Sequence, residues 1–176
     1  MRNALMVETL SEPRPAYQMR SERFLSILEP FDRIVLVSHV NPDPDALASM
    51  LGLEALISAT QPKKSVVLTV DGIVARAENQ AMVDLLGMRL EPVANVPIDQ
   101  KTALVMVDSQ PHTGRRASEA AVPVAVLDHH ETPGKLEGVG FQDIRPNLGA
   151  TSTMVTGYLL EQDQSVDKRL ATALLY

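Results

Sequence analysis

The sequence predicts one α/β domain built on a mostly parallel sheet covered by helices on both faces. Three observations carry that expectation. The candidate strands are continuous apolar runs, VVLTV at 66–70, ALVMV at 103–107 and VAVL at 124–127, the pattern of strands buried on both faces. Helical patterns separate most of them, as βαβ units require. At 176 residues the chain is long enough for one core and too short for two full domains.

The elements run in order along the chain. Residues 1–15, with Pro13 and Pro15, read as a flexible leader, and 16–176 as the domain. The apolar residues Phe24, Leu25, Ile27 and Leu28 predict a helix over 17–28, closed by Pro30. Residues 33–38 predict a strand and 46–59 a helix, with Leu47, Met50, Leu51, Ala55 and Ile57 on or near one face. A strand over 65–70 and a helix over 78–86 come next. Runs at 102–107 and 122–127 predict two more strands, 138–144 a short extra one, and 151–162 a helix. The closing stretch KRLATALLY, 168–176, is helical or strand-entering. It has no turn, cap or polar tail after it, and the expectation is a piece of something longer.

Composition excludes several function classes. There is no cysteine, so disulfides, zinc-thiolate clusters and a thiol nucleophile are out. Aromatics make up 3% with no Trp, leaving no stacking platform for single strands. A formal charge of −6 argues against a broad basic face for long duplex DNA or an acidic membrane. The first twelve residues lack the apolar core of a signal peptide, and no run of about 18 apolar residues occurs. The expected location is cytoplasmic.

The residues at the strand ends are less ordinary. His39, Asp43 and Asp45 come after the first strand, Asp108 after the third, and Asp128, His129 and His130 after the fourth. Ligands of a parallel sheet bind at the carboxyl ends of its strands. Any one of these residues alone is ordinarily a turn, cap or loop residue. Asp71, in a turn-like Asp-Gly, is left as one. Together, crowded carboxylates repel and raise one another's pKa unless a cation compensates. Imidazole and carboxylate without thiolate suit Mn²⁺, Fe²⁺ or Mg²⁺ better than structural zinc. Pro42 and Pro44 stiffen 38-SHVNPDPDALASM-50 and bias Asn41 and Asp43 toward extended backbone. Asp45 would start the next helix, able to cap as well as ligate.

In order and context, His39-x-x-x-Asp43-x-Asp45, Asp108 in 105-VMVDSQ-110 and 128-DHH-130 resemble the first three motifs of the DHH phosphoesterase superfamily. That superfamily includes RecJ-type nucleases, family II inorganic pyrophosphatases and oligoribonuclease/pAp phosphatases of the NrnA type. The resemblance implies a Rossmann-like DHH domain with two divalent ions, Mn²⁺ or alternatively Mg²⁺. His39, Asp43 and Asp108 would hold one; Asp45, Asp108 and His129 the other. His130 would face the substrate phosphate, and Asp128 would orient a neighbour. The Thr and Ser residues of 147-NLGATST-153 are expected as helix caps. The fourth motif, an aspartate after an Ala/Leu-rich run, and the carboxy-terminal substrate-binding domain do not occur within these residues.

The stretches 72-GIVARAENQ-80 and 109-SQPHTGRR-116 resemble the NrnA-like and exopolyphosphatase-related branch. Arg76, Arg115 and Arg116 are candidates for a phosphate, although a solvated arginine is the commoner case. The expected activity is metal-dependent hydrolysis of short oligonucleotides or nucleotide phosphates such as pAp. The alternatives are inorganic pyrophosphatase or exopolyphosphatase activity, and a non-catalytic nucleotide-binding or sensor domain. No residue pattern sets the oligomeric state; a homodimer is compatible with the sequence.

Overall fold

A computed structural model describes residues 19–111, 121–132 and 134–176. The element order is α1 (Arg20–Leu28), β1 (Arg33–Val37), α2 (Pro44–Thr60), β2 (Ser65–Val70), α3 (Ala77–Leu85), β3 (Leu90–Pro92), a 3₁₀ turn (Val93–Asn95), β4 (Thr102–Val107), β5 (Ala125–Asp128), β6 (Phe141–Ile144), α4 (Thr151–Glu161) and α5 (Lys168–Leu175). The six strands form one sheet in the order β3-β2-β1-β4-β5-β6, every pair parallel. This is the parallel α/β architecture the sequence predicts, with α1 to α5 all packed on one face among the described residues.

The order reverses between β1 and β4, where Val37 pairs with Met106. In such sheets the crevice outside the carboxyl ends at the reversal is where ligands bind. The residues after β1 and β4 therefore meet there, although about seventy residues separate them in the chain.

Alternation along the strands divides the core. Ile34, Leu36, Val105, Val107 and Leu127 pack with the helices α1 to α5, whereas Val35, Val37, Leu104, Met106 and Val126 pack with Val96, Leu136 and Val139 on the opposite face. Helix α2 is buried nearly all round from Ala46 to Leu53, not along one face as its spacing suggests, because α4 and α5 cover its outer side. At Gly52 an added Cβ would lie 2.5 Å from Val155 Cγ1 of α4, so the absence of a side chain there sets how closely α2 and α4 approach.

Several boundaries move. The fourth expected strand starts at Ala125, not 122, and Val122 is 62% exposed. The weakly patterned 138–144 contains the real strand β6. The three-residue edge strand β3, ending at Pro92, carries no periodic signal; proline is tolerated there because an edge leaves its missing N–H unneeded. The closing run is a helix, with the Asp167 carboxylate capping it through Leu170 N at 2.8 Å. The Asp71-Gly72 turn holds its glycine at φ +90°. No helix among the described residues is long and apolar enough to cross a membrane.

Candidate metal centre

The turn after β1 is built differently from the extended turn expected. Asp43 is extended, at φ −90° and ψ 178°, but Asn41 adopts φ 57°. Pro42 disfavours right-handed helical backbone at Asn41; the chain escapes into the left-handed region, which Asn tolerates best of the non-glycine residues. The Asp43 side chain, not Asp45, caps α2, accepting Ala46 N at 3.0 Å. Pro44 then occupies the first helical position, where its missing N–H costs nothing.

Asp45 caps a different helix. Its two oxygens accept Thr151 N at 2.8 Å and Ser152 N at 2.7 Å, so the N-terminus of α4 rests on a carboxylate from α2. The expected Thr and Ser caps are thus replaced: α4 has no side-chain cap of its own. Thr151 instead donates its hydroxyl to Asp108 Oδ1 at 3.0 Å.

Asp108 sits at the centre. It is 1% exposed and adopts φ 53°, an unusual backbone for a residue with a Cβ and a form of local strain that collects at functional sites. Its Oδ2 lies 3.5 Å from His39 Nε2 and its Oδ1 3.6 Å from His129 Nε2. One carboxylate therefore presents a different oxygen to each of two imidazoles. His39 Nε2 is also 3.7 Å from Asp43 Oδ2, and His129 Nε2 3.6 Å from Asp45 Oδ2.

These separations exceed a hydrogen bond. Two ligands about 2.0–2.2 Å from a shared ion lie roughly 3.0–3.6 Å apart, close to what is found. Both imidazoles are also oriented for ligation. His39 Nδ1 faces Val40 O at 3.0 Å and His129 Nδ1 faces Leu148 O at 3.2 Å. A carbonyl only accepts, so Nδ1 carries a hydrogen and Nε2 is the nitrogen left to face the carboxylates and to ligate.

The electrostatics agree. Burial pushes the Asp108 carboxyl above its ordinary range; His39 opposes this, and the charges of Asp45 and Asp43 add to it. Asp43 is held down to about 2, first by the facing His39 and then, against burial, by the Ala46 amide. A buried carboxylate among carboxylates, with two basic imidazole nitrogens aimed at it, is a donor set that a hard divalent cation fits. His39, Asp43 and Asp108 have donor atoms mutually within 4.8 Å, and so do Asp108, His129 and His130.

His130 is more exposed, at 54% of its side chain. Its Nδ1 lies 2.8 Å from Asp128 Oδ1 and 3.8 Å from Asp108 Oδ1. The buried Gln110 donates Nε2 to Asp128 Oδ2 at 2.7 Å and to His130 O at 3.2 Å. Sequence reasoning gave Gln110 no role and took Thr151 only as a cap, since an amide or hydroxyl carries no spacing signal for its contact with Asp128 or Asp108. Asp71 stays out of the cluster. Arg115 and Arg116 lie outside the described residues.

Fold and cluster together define a parallel α/β domain whose strand ends converge on a group of side chains that could hold a metal ion. The chain matches the DHH family, N-terminal domain, over residues 33–176, and it belongs to that family, whose members are phosphoesterases. It is 30% identical over 143 residues to an uncharacterized protein, MJ1633, of Methanocaldococcus jannaschii, covering 81% of this chain and 29% of that one. It is 24% identical over 155 residues to a probable bifunctional oligoribonuclease and PAP phosphatase NrnA of Streptococcus mutans, covering 86% of this chain and 46% of that one. Its fold is similar to the crystal structure of an exopolyphosphatase-related protein from Bacteroides fragilis, with TM-score 0.59 and 21% identity over 89% of this chain and 48% of that one. The chain thus spans less than half the length of these relatives.

Proposed function

We propose that this domain is the metal-binding half of a Mn²⁺-dependent phosphohydrolase acting on short oligonucleotides or nucleotide phosphates such as pAp. The observation that carries the reading is the Asp108 carboxylate divided between His39 Nε2 and His129 Nε2. His39, Asp43 and Asp108 would hold one ion; Asp45, Asp108 and His129 would hold the other, with Mg²⁺ as the substitute metal. When bound, such ions supply an acidified water and positive charge for phosphoryl oxygens.

The chain's own residues prepare the rest. Val40 O and Leu148 O lock the ligand imidazoles in one tautomer. The Asp128 carboxylate, itself held by Gln110 Nε2, takes the Nδ1 hydrogen of His130 and leaves the exposed edge of that ring for a substrate phosphate. A hydrogen-bond donor at that edge stabilises charge that develops on phosphoryl oxygen. The nucleotide substrate class is supported by the name of the Streptococcus mutans relative.

Calorimetric titration of Mn²⁺ into this chain and into Asp108→Asn tests the core of the proposal. Loss of a shared ligand is expected to weaken binding at least about tenfold. Equal affinity of the two proteins overturns the metal assignment. In the full-length protein, faster hydrolysis of a dinucleotide than of pyrophosphate is expected; the reverse order would transfer the assignment to inorganic phosphoanhydrides.

A further inference from the structure

Asp108 serves two imidazoles only while its carboxylate is held in one plane, and its own torsions do not hold it. The last torsion of an aspartate joins an sp³ to an sp² carbon and is broad. Rotation about it would turn both oxygens toward one imidazole and leave the other facing none. The left-handed backbone, at φ 53°, aims the side chain and leaves that rotation open. A donor fixed from outside closes it. The Thr151 hydroxyl donates at 3.0 Å to Oδ1, the oxygen on the His129 side.

The same residue holds a second carboxylate. Thr151 is fully buried at the first position of α4, and its backbone N–H donates to Asp45 Oδ2 at 2.8 Å. Asp45 Oδ2 and Asp108 Oδ1 are also the two oxygens that face His129 Nε2, each at 3.6 Å. The two donors of Thr151 therefore grip the pair of atoms that the imidazole completes, on side chains whose charges repel. Each oxygen has a further lone pair, so accepting from Thr151 leaves it able to ligate. The grip is stiff. Branching at Cβ restricts the threonine χ1, and at a first helical position no carbonyl of its own helix lies a turn behind to compete for the hydroxyl.

We propose that Thr151 is the positioning residue of the site formed by Asp45, Asp108 and His129. It sets the spacing of the two carboxylate oxygens against their repulsion and keeps Asp108 divided between His129 and His39. Thr151 ligates nothing itself; it acts through Asp45 and Asp108, and its effect is read in metal affinity. The inference rests on the metal-dependent phosphohydrolase reading above.

The test is calorimetric titration of Mn²⁺ into this chain, Thr151→Val and Thr151→Ser, with hydrogen exchange of the α4 amides in excess chelator. Valine keeps the branched shape and the backbone N–H and loses the hydroxyl donor. It is expected to weaken Mn²⁺ binding about tenfold or more, the usual cost of removing a group that orients a ligand. Protection of the amides at 151 and 152 in chelator is expected to stay as in wild type, because their bonds to Asp45 do not involve the hydroxyl. Serine restores the donor and is expected to recover most of the affinity. Wild-type affinity in the valine variant overturns the positioning role, and so does a serine variant as weak as valine. Lost α4 protection or failure to fold in the metal-free valine variant overturns it as well, since the residue would then serve helix packing. These three outcomes leave the metal reading standing. Failure of the wild-type chain to bind Mn²⁺ overturns that reading and the inference with it.

Discussion

Replacing Asp45 separates two roles, the proposed ligation of a metal and the capping of a distant helix. In metal-free protein only the second operates. Asp45→Ala removes the acceptor of two α4 amides, at 2.8 and 2.7 Å. Losing a charged cap costs about 2–4 kcal/mol, counting the hydrogen bonds and the helix-end charge together. Relief of repulsion from Asp43 and Asp108 returns about 1 kcal/mol. The net expectation is a loss of about 2 kcal/mol, which in a chain of this size lowers Tm by roughly 4–8 °C.

Asp45→Asn sharpens the reading. Both variants remove the charge, so the repulsion cancels between them, and only Asn keeps an oxygen for one amide. Asn is therefore expected to be the more stable by about 1 kcal/mol. Urea denaturation in excess chelator measures the difference, and hydrogen exchange at Thr151 and Ser152 localises it to α4. Wild-type stability of the Ala variant, with unchanged protection of those two amides, would refute the capping argument.

Three further outcomes are expected. Gly52→Ala gains about 1 kcal/mol of helix propensity but places a methyl 2.5 Å from Val155 Cγ1; overpacking costs about 1–3 kcal/mol, so a net loss is expected, and Gly52→Ala combined with Val155→Ala should recover it in thermal melts. Asp108→Asn removes a carboxyl that burial and the neighbouring carboxylates push above its ordinary range, so without metal it should be at least as stable as wild type at pH 7, while losing the stabilisation that the proposed Mn²⁺ site would give wild type; a large loss of metal-free stability would contradict this. Burial raises the Asp143 carboxyl, but Arg145, the Tyr158 hydroxyl and Arg20 more than offset it, leaving it below the ordinary value. A depressed folded-state pKa gives stability that is present above the unfolded value near ~3.9 and lost as pH falls through the folded one. Asp143→Asn should therefore be less stable than wild type at pH 7, with the gap closing as pH falls below about 4; a gap unchanged down to pH 2 would contradict the linkage.

Much of this was legible in the residues. Continuous apolar runs marked the parallel strands, because strands covered on both faces need no alternation. The Asp and His residues fell at strand ends because that is where a parallel sheet opens to ligands. The boundaries that moved are those where the local signal is weak: the edge strand ending in Pro92, the late start of β5 and the all-round burial of α2. Pro42 predicted an extended Asn41 and was overruled, since the turn must reverse direction between β1 and α2 within a few residues.

The sequence by itself determined the fold class, the family and which side chains are available to a cation. Tertiary structure decided how they meet. It set β4 beside β1, bringing Asp108 to His39; it laid α4 on the Asp45 carboxylate across 106 positions; and it turned the Asp108 backbone left-handed so that its two oxygens divide between two imidazoles. It also brought Arg76 and Asn79 to the flank of the cluster. The physical reason is common to all of these. Propensity and periodicity act over a few residues, whereas strand order and helix docking follow from burying apolar surface over the whole chain, and the polar contacts form wherever that packing leaves their partners within reach.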